Sequence, residues 1–323
     1  MTCKQHTHTF LLAVLAAFAL GQATASAFEQ PKVYELKPKD HVVIFGDSTT
    51  VAGCKPAGFV QLLIQAVAEQ IHDQGVKVSA ICKNTRTTSS LLGPEGWILG
   101  RKFKTLQDAE HKPTVAIIVL GLNDSKAGPS GVEPYVKRLR EAIGLLRDRK
   151  QTVILVTPST WGGLEQTKPY AGACRALAKE LECLLIDLYA VHVDHIVANT
   201  KDGRLLPSDN PTVDGVHYSE VGDTLTAGAI LRALGLEAVW RKYQLQVALN
   251  RNCDVTVEPN LSVNEPYEPG AKVTLTCKPK AGMVFKSWAH TNGELIAGTE
   301  PAVTVTMDSH QHIKAVVEAA TGQ

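Results

Sequence analysis

The chain has 323 residues, of which 44% are hydrophobic and 20% charged, a composition typical of a folded protein with a sizeable core. Its 33 basic and 32 acidic residues leave a formal net charge of +1, so no strong field attracts nucleic acid or an anionic membrane. The length predicts one large domain or two unequal ones.

The first residues, 1–27, are predicted to be a signal peptide. Lys4 supplies a positive charge, and the apolar run FLLAVLAAFAL (10–20) is too short to span a bilayer as a helix. Ala25-Ser26-Ala27 then forms a small-residue cleavage motif. We therefore expect an exported protein, secreted, periplasmic or at the cell surface, with a mature chain that begins at Phe28. An uncleaved anchor is the alternative, and no later apolar run is long enough for a membrane span.

Six cysteines follow the predicted signal peptide. An oxidising compartment and an even number of cysteines favour disulfides. The first expected pair lies in the C-terminal region. In the second pair, each cysteine follows one of the first two predicted strands, and in the third pair a helix must end between the two cysteines. In that order, the expected pairs are Cys253–Cys277, Cys54–Cys82 and Cys174–Cys183.

The region from about residue 42 to residue 236 alternates between apolar runs and amphipathic stretches. This alternation predicts a three-layer α/β fold, in which helices cover both faces of a five-stranded parallel sheet. The predicted strands are HVVIFG (41–46), VKVSAI (76–81), TVAIIVLG (114–121), TVILVT (152–157) and LLIDL (184–188). The predicted helices cover residues 58–75, 134–149, 170–181 and 219–234.

The pattern changes after Trp240. Short alternating runs are separated by Pro, Gly, Asn and Asp, which predicts a small all-β domain. We therefore place one domain at residues 28–240 and a second at residues 241–323. The second domain is so small that its core buries little surface, and at about this size a disulfide helps to stabilise the core.

The second domain resembles the internalin-type bacterial repeat over residues 243–318. The resemblance rests on the order of YEPG, VTLTCKP, GMVFKSW and VTVTMD. It implies surface attachment, spacing or binding rather than chemistry, with a cell surface or a glycan as the partner. A passive appendage is the simpler interpretation.

Gly46-Asp47-Ser48 follows the first predicted strand directly. These residue types are turn formers, so the motif alone indicates no more than a turn. However, ligands of open α/β sheets bind beyond the carboxyl ends of the strands, which is where Ser48 lies. The second interpretation is therefore a nucleophile presented at the edge of the sheet.

The segment Gly121-Leu122-Asn123-Asp124 ends the third predicted strand in the same way. Asn and Asp side chains often bond their own backbone in such turns. The functional alternative is that the Asn123 side-chain amide donates to a developing oxyanion.

Asp214 and His217 lie three residues apart, just before the last predicted helix. On a turn, this spacing lets the carboxylate accept from Nδ1–H of the imidazole, which fixes the tautomer of a general base. A helix cap with an incidental histidine is the alternative. Together with Ser48 and Asn123, the pair supplies a nucleophile, a base, an orienting acid and an oxyanion donor. No G-x-S-x-G motif occurs, which excludes an ordinary α/β-hydrolase.

This set resembles the SGNH (GDSL) hydrolase family through FGDST, GLND and DGVH over about residues 40–236. The resemblance implies a flavodoxin-like three-layer fold and ester hydrolysis without a cofactor or a metal. Ser48 would attack the acyl carbon, His217 would accept its proton, and Asp214 would hold His217. The implied oxyanion hole uses the Ser48 backbone N–H, Asn123 and Gly121. The residues adjacent to this site are Asp47 and Asp124.

The chain departs from the family at Thr85. Family members usually place a glycine after the second strand, and its N–H completes the oxyanion hole, whereas the segment here reads ICKNTRTTSSLLG. A threonine keeps the N–H, but a positive φ is costly for it. Thr85 therefore either donates in a narrower pocket or marks a weakened enzyme. Asn84 and Arg86 flank it, and either contact substrate or line a solvated loop.

Two further groups of residues are candidates. His192 and His195 lie three apart on a predicted helix and would suit a metal pair, although surface positions explain them equally well and no third ligand is evident. Two tryptophans in loops would suit a sugar-binding cleft or ordinary packing. The acids near the histidines are Asp187 and Asp194, and the tryptophans are Trp97 and Trp161.

The sequence therefore predicts an exported serine ester hydrolase that acts on a small-molecule or polysaccharide ester, with a short acyl group, such as acetyl on a carbohydrate, expected. A lipase or lysophospholipase with long-chain preference is the nearest alternative. A non-catalytic surface binding protein with a degenerate hydrolase domain is a second alternative, and a metal-dependent enzyme using the region of His192 is a third.

Overall fold

The computed structural model describes residues 33–93, 96–107, 112–160 and 164–320. The predicted signal peptide and Trp161 lie outside these residues. Among the helices of these ranges, none combines the length and the apolar character needed to cross a membrane.

A five-stranded parallel sheet forms the centre of the N-terminal part of the described chain. Its strands follow the order β2-β1-β3-β4-β5, and every neighbouring pair is parallel. The predicted three-layer α/β fold is confirmed. The strands are β1 (His41–Gly46), β2 (Lys77–Cys82), β3 (Val115–Val119), β4 (Thr152–Val156) and β5 (Leu184–Ile186).

Helices cover both faces of the sheet because successive side chains of a strand point to opposite faces. Val42 and Ile44 of β1 pack with α2 and α7, whereas Val43 and Phe45 pack with α4 and α5. The helices are α1 (Ser48–Gly53), α2 (Phe59–Ile71), α3 (Arg101–Gln107), α4 (Val132–Asp148), α5 (Leu164–Glu180), α6 (Leu188–Asn199) and α7 (Glu220–Ala233). Short 3-10 helices cover His72–Gln74, Thr88–Leu91, Asp124–Gly131 and Pro207–Asp209.

The C-terminal part contains two further sheets, which confirms the predicted all-β character. One has the order β10-β9-β12-β6 and the other β11-β8-β7. Their shared core is built around the fully buried Trp288. We call this part the β-module; its strands are β6 (Leu245–Val247), β7 (Cys253–Glu258), β8 (Lys272–Pro279), β9 (Met283–His290), β10 (Leu295–Ala297), β11 (Ala302–Thr306) and β12 (Gln311–Ala319).

The predicted disulfides are wrong for this structure, because no disulfide joins the six cysteines in its described part. The thiol of Cys174 points to the Val156 carbonyl, whereas the Cys183 thiol contacts Arg147. In the β-module the register pairs residue 255, not 253, with Cys277. The other four cysteines of the expected pairs are Cys253 and Cys277, on the neighbouring strands β7 and β8, and Cys54 and Cys82, at the ends of α1 and β2.

The strand order places the segments that follow β2, β1 and β3 side by side. Gly46, the last residue of β1, has Cys82 and Val119 as its two neighbours in the sheet. Because parallel strands end at one edge, the residues after these three strands meet there. The polar motifs recognised in the sequence all lie at this edge.

Candidate active site

Ser48 is the first residue of α1, a six-residue helix that follows β1 after a single residue. Asp47 caps this helix, because its carboxylate accepts from the backbone N–H and the hydroxyl of Thr49, both at 3.0 Å. A side chain at Gly46 would clash with Thr50, so the tight strand-to-helix turn requires glycine there. The turn holds Ser48 at the C-terminal edge of the sheet.

Ser48, His217 and Asp214 form a continuous chain of hydrogen bonds. The distance from Ser48 Oγ to His217 Nε2 is 3.2 Å, and that from His217 Nδ1 to Asp214 Oδ2 is 2.7 Å. The side chains of His217 and Asp214 are 41% and 52% exposed, so the site is open to solvent. The proton-transfer path from a hydroxyl to an oriented imidazole is therefore in place.

Asp214 is fixed by its own backbone turn. Its Oδ1 accepts from the N–H groups of Val216 and His217 at 2.9 and 2.8 Å. Burial opposes ionisation, but the bonds from the His217 side chain and from the two backbone groups outweigh it and lower the pKa of Asp214. The carboxylate is therefore ionised and leaves Oδ2 to orient the imidazole.

Asn123 contacts Asp47, the residue before Ser48, and both hydrogens of its amide are already used. Nδ2 donates to Asp47 Oδ2 at 3.0 Å and to the Arg86 carbonyl at 3.1 Å. Asp47 is 1% exposed, and this burial raises its pKa although the bonds from Thr49 and Asn123 work against the shift. The Arg86 carbonyl was not anticipated from the sequence, because a backbone contact between distant segments leaves no residue pattern.

Asp124 anchors the segment that follows β2. Its carboxylate accepts from the Thr88 backbone N–H at 3.0 Å and from the Thr88 hydroxyl at 2.6 Å, and Arg138 lies 3.7 Å away. Burial raises the pKa of Asp124, while the bonds from Thr88 oppose the shift. The sequence placed Asp124 beside the site but did not identify Thr88 as its partner.

Thr85 adopts a left-handed backbone conformation, with φ of 62°, at the position where the family has glycine. Its side chain is exposed, and its hydroxyl donates to the Asn84 carbonyl at 2.6 Å. Asn84 is exposed and Arg86 half-buried. Gly121 has a φ of 124°, and a side chain there would lie 2.5 Å from Pro158, so packing already requires glycine at that position.

The other candidate residues have structural surroundings. The buried ring of His192 packs edge-on against Tyr218 with ring centroids 5.4 Å apart, and burial lowers the pKa of His192 to about 3. His195 Nε2 bonds to the Asp209 carbonyl at 2.9 Å. Asp187 caps α6 and binds Arg175 through both carboxylate oxygens. Asp194 is exposed, and Trp97 stacks on Phe45. In the ranges described above, no group of three or more His, Cys, Asp or Glu side chains is arranged to hold a metal ion.

Comparison with protein families identifies both parts of the chain. Residues 44–250 match the model of the GDSL-like lipase/acylhydrolase family. The chain belongs to this family. The match covers more than half of the protein and includes all three polar motifs at the sheet edge. In addition, residues 243–321 of this GDSL-like protein match the divergent InlB B-repeat domain, which confirms the resemblance of the β-module to internalin-type repeats.

Solved structures share the fold of the GDSL-like domain. The acetylxylan esterase Axe2 from Geobacillus stearothermophilus superposes with a TM-score of 0.51 at 21% identity, over 64% of this chain and 98% of that one. The acetyl xylan esterase AlAXEase gives a TM-score of 0.50 at 20% identity, over 60% of this chain and 99% of that one. No curated protein matches the chain. At these identities the likeness supports the fold.

Proposed function

We propose that this GDSL-like protein is a serine ester hydrolase with Ser48 as nucleophile, His217 as general base and Asp214 as orienting acid. The observation that carries the proposal is the hydrogen-bond chain from Ser48 Oγ through His217 to Asp214, at 3.2 and 2.7 Å. Support comes from three structures of catalytic mutants of Axe2, in which an aspartate, a histidine and a serine are replaced, the aspartate three residues before the histidine. Asp214 and His217 have the same spacing.

In the proposed reaction, Ser48 Oγ attacks the acyl carbon while its proton moves to His217 Nε2. Asp214 holds the Nδ1–H and stabilises the imidazolium that forms. The imidazolium then protonates the leaving alcohol, which leaves an acyl group on Ser48. Water, deprotonated by His217, attacks this acyl group; His217 then returns the proton to Ser48 Oγ as the bond between Ser48 and the acyl group breaks and the acid is released.

The proposed oxyanion hole consists of the backbone N–H groups of Ser48 and Thr85 and the amide of Asn123. The N–H of Ser48 lies at a helix N-terminus, where backbone donors have no partner within the helix. Both Asn123 hydrogens are already bonded. The oxyanion must therefore share with the Arg86 carbonyl the hydrogen that this carbonyl accepts, or replace the carbonyl as its acceptor. The bond to the buried Asp47 would remain and keep the amide in place.

For the substrate, we propose a short acyl ester on a carbohydrate, with acetyl as the acyl group. The open position of His217 and Asp214 suits an ester carried on a large alcohol. Two of the solved structures that share the fold are of acetylxylan esterases. We further propose that residues 1–27 direct export. Expression of the full chain in its native host, followed by cell fractionation, would test whether the protein leaves the cytoplasm.

Hydrolysis of p-nitrophenyl esters, from acetate to long acyl chains, tests the proposal. We expect wild-type protein to cleave the acetate ester best, and Ser48→Ala to reduce kcat by at least about 10⁴-fold. Ser130→Ala is the matched control, because Ser130 is an exposed serine at the same edge of the sheet and should leave kcat unchanged. Hydrolysis of acetylated xylo-oligosaccharides then tests whether the substrate is an acetyl ester of a carbohydrate.

Two other outcomes of the ester assay would favour a different function. A preference for long acyl chains would keep the triad and reject the acetyl proposal in favour of a lipase-type enzyme. If wild-type protein and Ser48→Ala are equally inert on every ester, and a fluorophosphonate does not label Ser48, the proposed activity is wrong. A binding protein with a degenerate hydrolase domain would then explain the chain better.

A further inference from the structure

The β-module contacts the loop that joins α1, the helix of Ser48, to α2. Both backbone groups of Ala57 in this loop bind side chains of the β-module region. The Ala57 N–H donates to Gln244 Oε1 at 2.6 Å, and His312 Nε2 donates to the Ala57 carbonyl at 3.1 Å. Ala57, Gln244 and His312 are 1%, 2% and 3% exposed. These are therefore buried contacts, in which a lost hydrogen bond is costly.

Ala57 has a backbone conformation that needs such support. Its φ of 58° lies in the left-handed region, which costs roughly 1–2 kcal/mol for a residue with a Cβ. The loop is also tight, since a Cβ on Gly58 would lie 2.6 Å from the Cα of Gly53, the last residue of α1. Holding Ala57 therefore restrains the end of the helix that begins with Ser48.

His312 also contacts the segment that carries His217. Its backbone N–H donates to Glu220 Oε2 at 3.2 Å, and Glu220 begins α7, three residues after His217. His290 of β9 lies 3.9 Å from the same carboxylate oxygen. One residue of the β-module thus bonds to both segments of the hydrolase domain that supply the proposed nucleophile and base.

We propose that the β-module positions Ser48 against His217, with His312 as the bridging residue. This inference rests on the proposed function for its catalytic meaning, and it replaces the interpretation of the module as a passive appendage. His312 is a positioning residue: it acts on the reaction only through the Ala57 loop and the start of α7. Its side chain must carry the proton on Nε2, because the Ala57 carbonyl can only accept.

The experiment compares His312→Ala with His312→Gln in the full chain. The glutamine amide can place an N–H donor near the position of Nε2, so it should restore the bond to Ala57. His72→Ala is the control, because His72 is an exposed histidine away from these contacts. We expect His312→Ala to lower kcat for p-nitrophenyl acetate about tenfold with KM within about twofold, since small misplacements of reacting groups are costly. His312→Gln should recover most of kcat.

Amide hydrogen exchange provides a readout that needs no activity. In His312→Ala, which loses the side-chain bond to Ala57 but keeps the backbone N–H that binds Glu220, we expect faster exchange in residues 48–58, with residues 115–119 of β3 unchanged. If His312→Ala does not fold, Gln244→Ala removes the other bond to Ala57 and takes its place. An active, Ser48-dependent wild type whose kcat and exchange are insensitive to His312→Ala would overturn the inference and leave the proposed function standing. If wild-type protein is inert on every ester but residues 48–58 still exchange faster in His312→Ala than in wild type, the proposed function is wrong and the structural coupling stands.

Discussion

Replacing Asp223 with asparagine should protect the protein against alkaline destabilisation. Asp223 lies in the first turn of α7, 3% exposed, and its Oδ1 accepts from the backbone N–H of Phe59, the first residue of α2, at 2.9 Å. Burial raises the pKa of Asp223 to about 8; the Phe59 N–H opposes this shift and the nearby Glu220 adds to it. The carboxyl group is therefore mainly neutral at pH 7.

The sign and size of the effect follow from this raised pKa. In the unfolded chain the pKa of an aspartate is about 3.9, so between that value and about pH 8 only the folded state holds the proton. Raising the pH across this window favours unfolding by about 1.4 kcal/mol per pH unit. From about pH 6.5 to about pH 8, Asp223 alone removes about 2 kcal/mol of stability, and above that both states are ionised.

Urea unfolding at pH 6.5 and pH 9, followed by circular dichroism, measures this contribution. Asparagine keeps an acceptor for the Phe59 N–H and has no proton to lose. We therefore expect Asp223→Asn to lie within about 1 kcal/mol of wild type at pH 6.5 and to lose about 2 kcal/mol less on going to pH 9. Asp73→Asn, at an exposed aspartate, is the control. Equal alkaline losses in wild type and Asp223→Asn would refute the reasoning.

Three other substitutions test the candidate site. Asp214→Asn should lower kcat on the order of 10³-fold at unchanged melting temperature, because an amide facing His217 Nδ1 imposes the wrong tautomer. Asp124→Ala should cost about 1–3 kcal/mol in urea unfolding by leaving buried Thr88 donors unpaired, with Asp124→Asn recovering part. Thr85→Gly should stabilise by up to about 1 kcal/mol, since relief of the left-handed penalty exceeds the entropy of glycine, and should keep kcat within about threefold. A large loss of kcat in Thr85→Gly would contradict a role limited to the backbone N–H.

The elements that the sequence predicts well have a local signal. The predicted strand HVVIFG coincides with β1, and the alternation of runs predicts the parallel sheet, because burial on both faces produces continuous apolar stretches. Helix α1 was not predicted, since six residues carry no helical period. Its first turn is capped by the Asp47 side chain. The strand Leu295–Ala297 likewise has no local signal, as three residues give no alternation.

In the candidate site, too, the contacts with a local sequence signal could be predicted and those between distant segments could not. The Asp214–His217 pair was predictable because both members lie on one turn, and the structure places them 2.7 Å apart. The contact between Asn123 and the Arg86 carbonyl was not, because it joins two loops through a backbone atom of any residue type. The disulfide prediction rested on export and on the number of cysteines, and neither specifies which side chains meet; Cys253, for example, lies opposite Pro279 rather than Cys277 in the register of the β-module.

Thr85 shows why a departure from a family motif does not by itself indicate a degenerate site. The family glycine supplies a backbone N–H and tolerates a positive φ, and Thr85 keeps the N–H and adopts a φ of 62°. A conformation of this cost persists only where the surrounding structure imposes it. Here Asp124 binds Thr88 through its backbone N–H and its hydroxyl, three residues along the same segment. The buried carboxylate next to Asn123 therefore offers the means to hold the loop of Thr85 in place, and the loss of the glycine is compatible with an intact oxyanion hole.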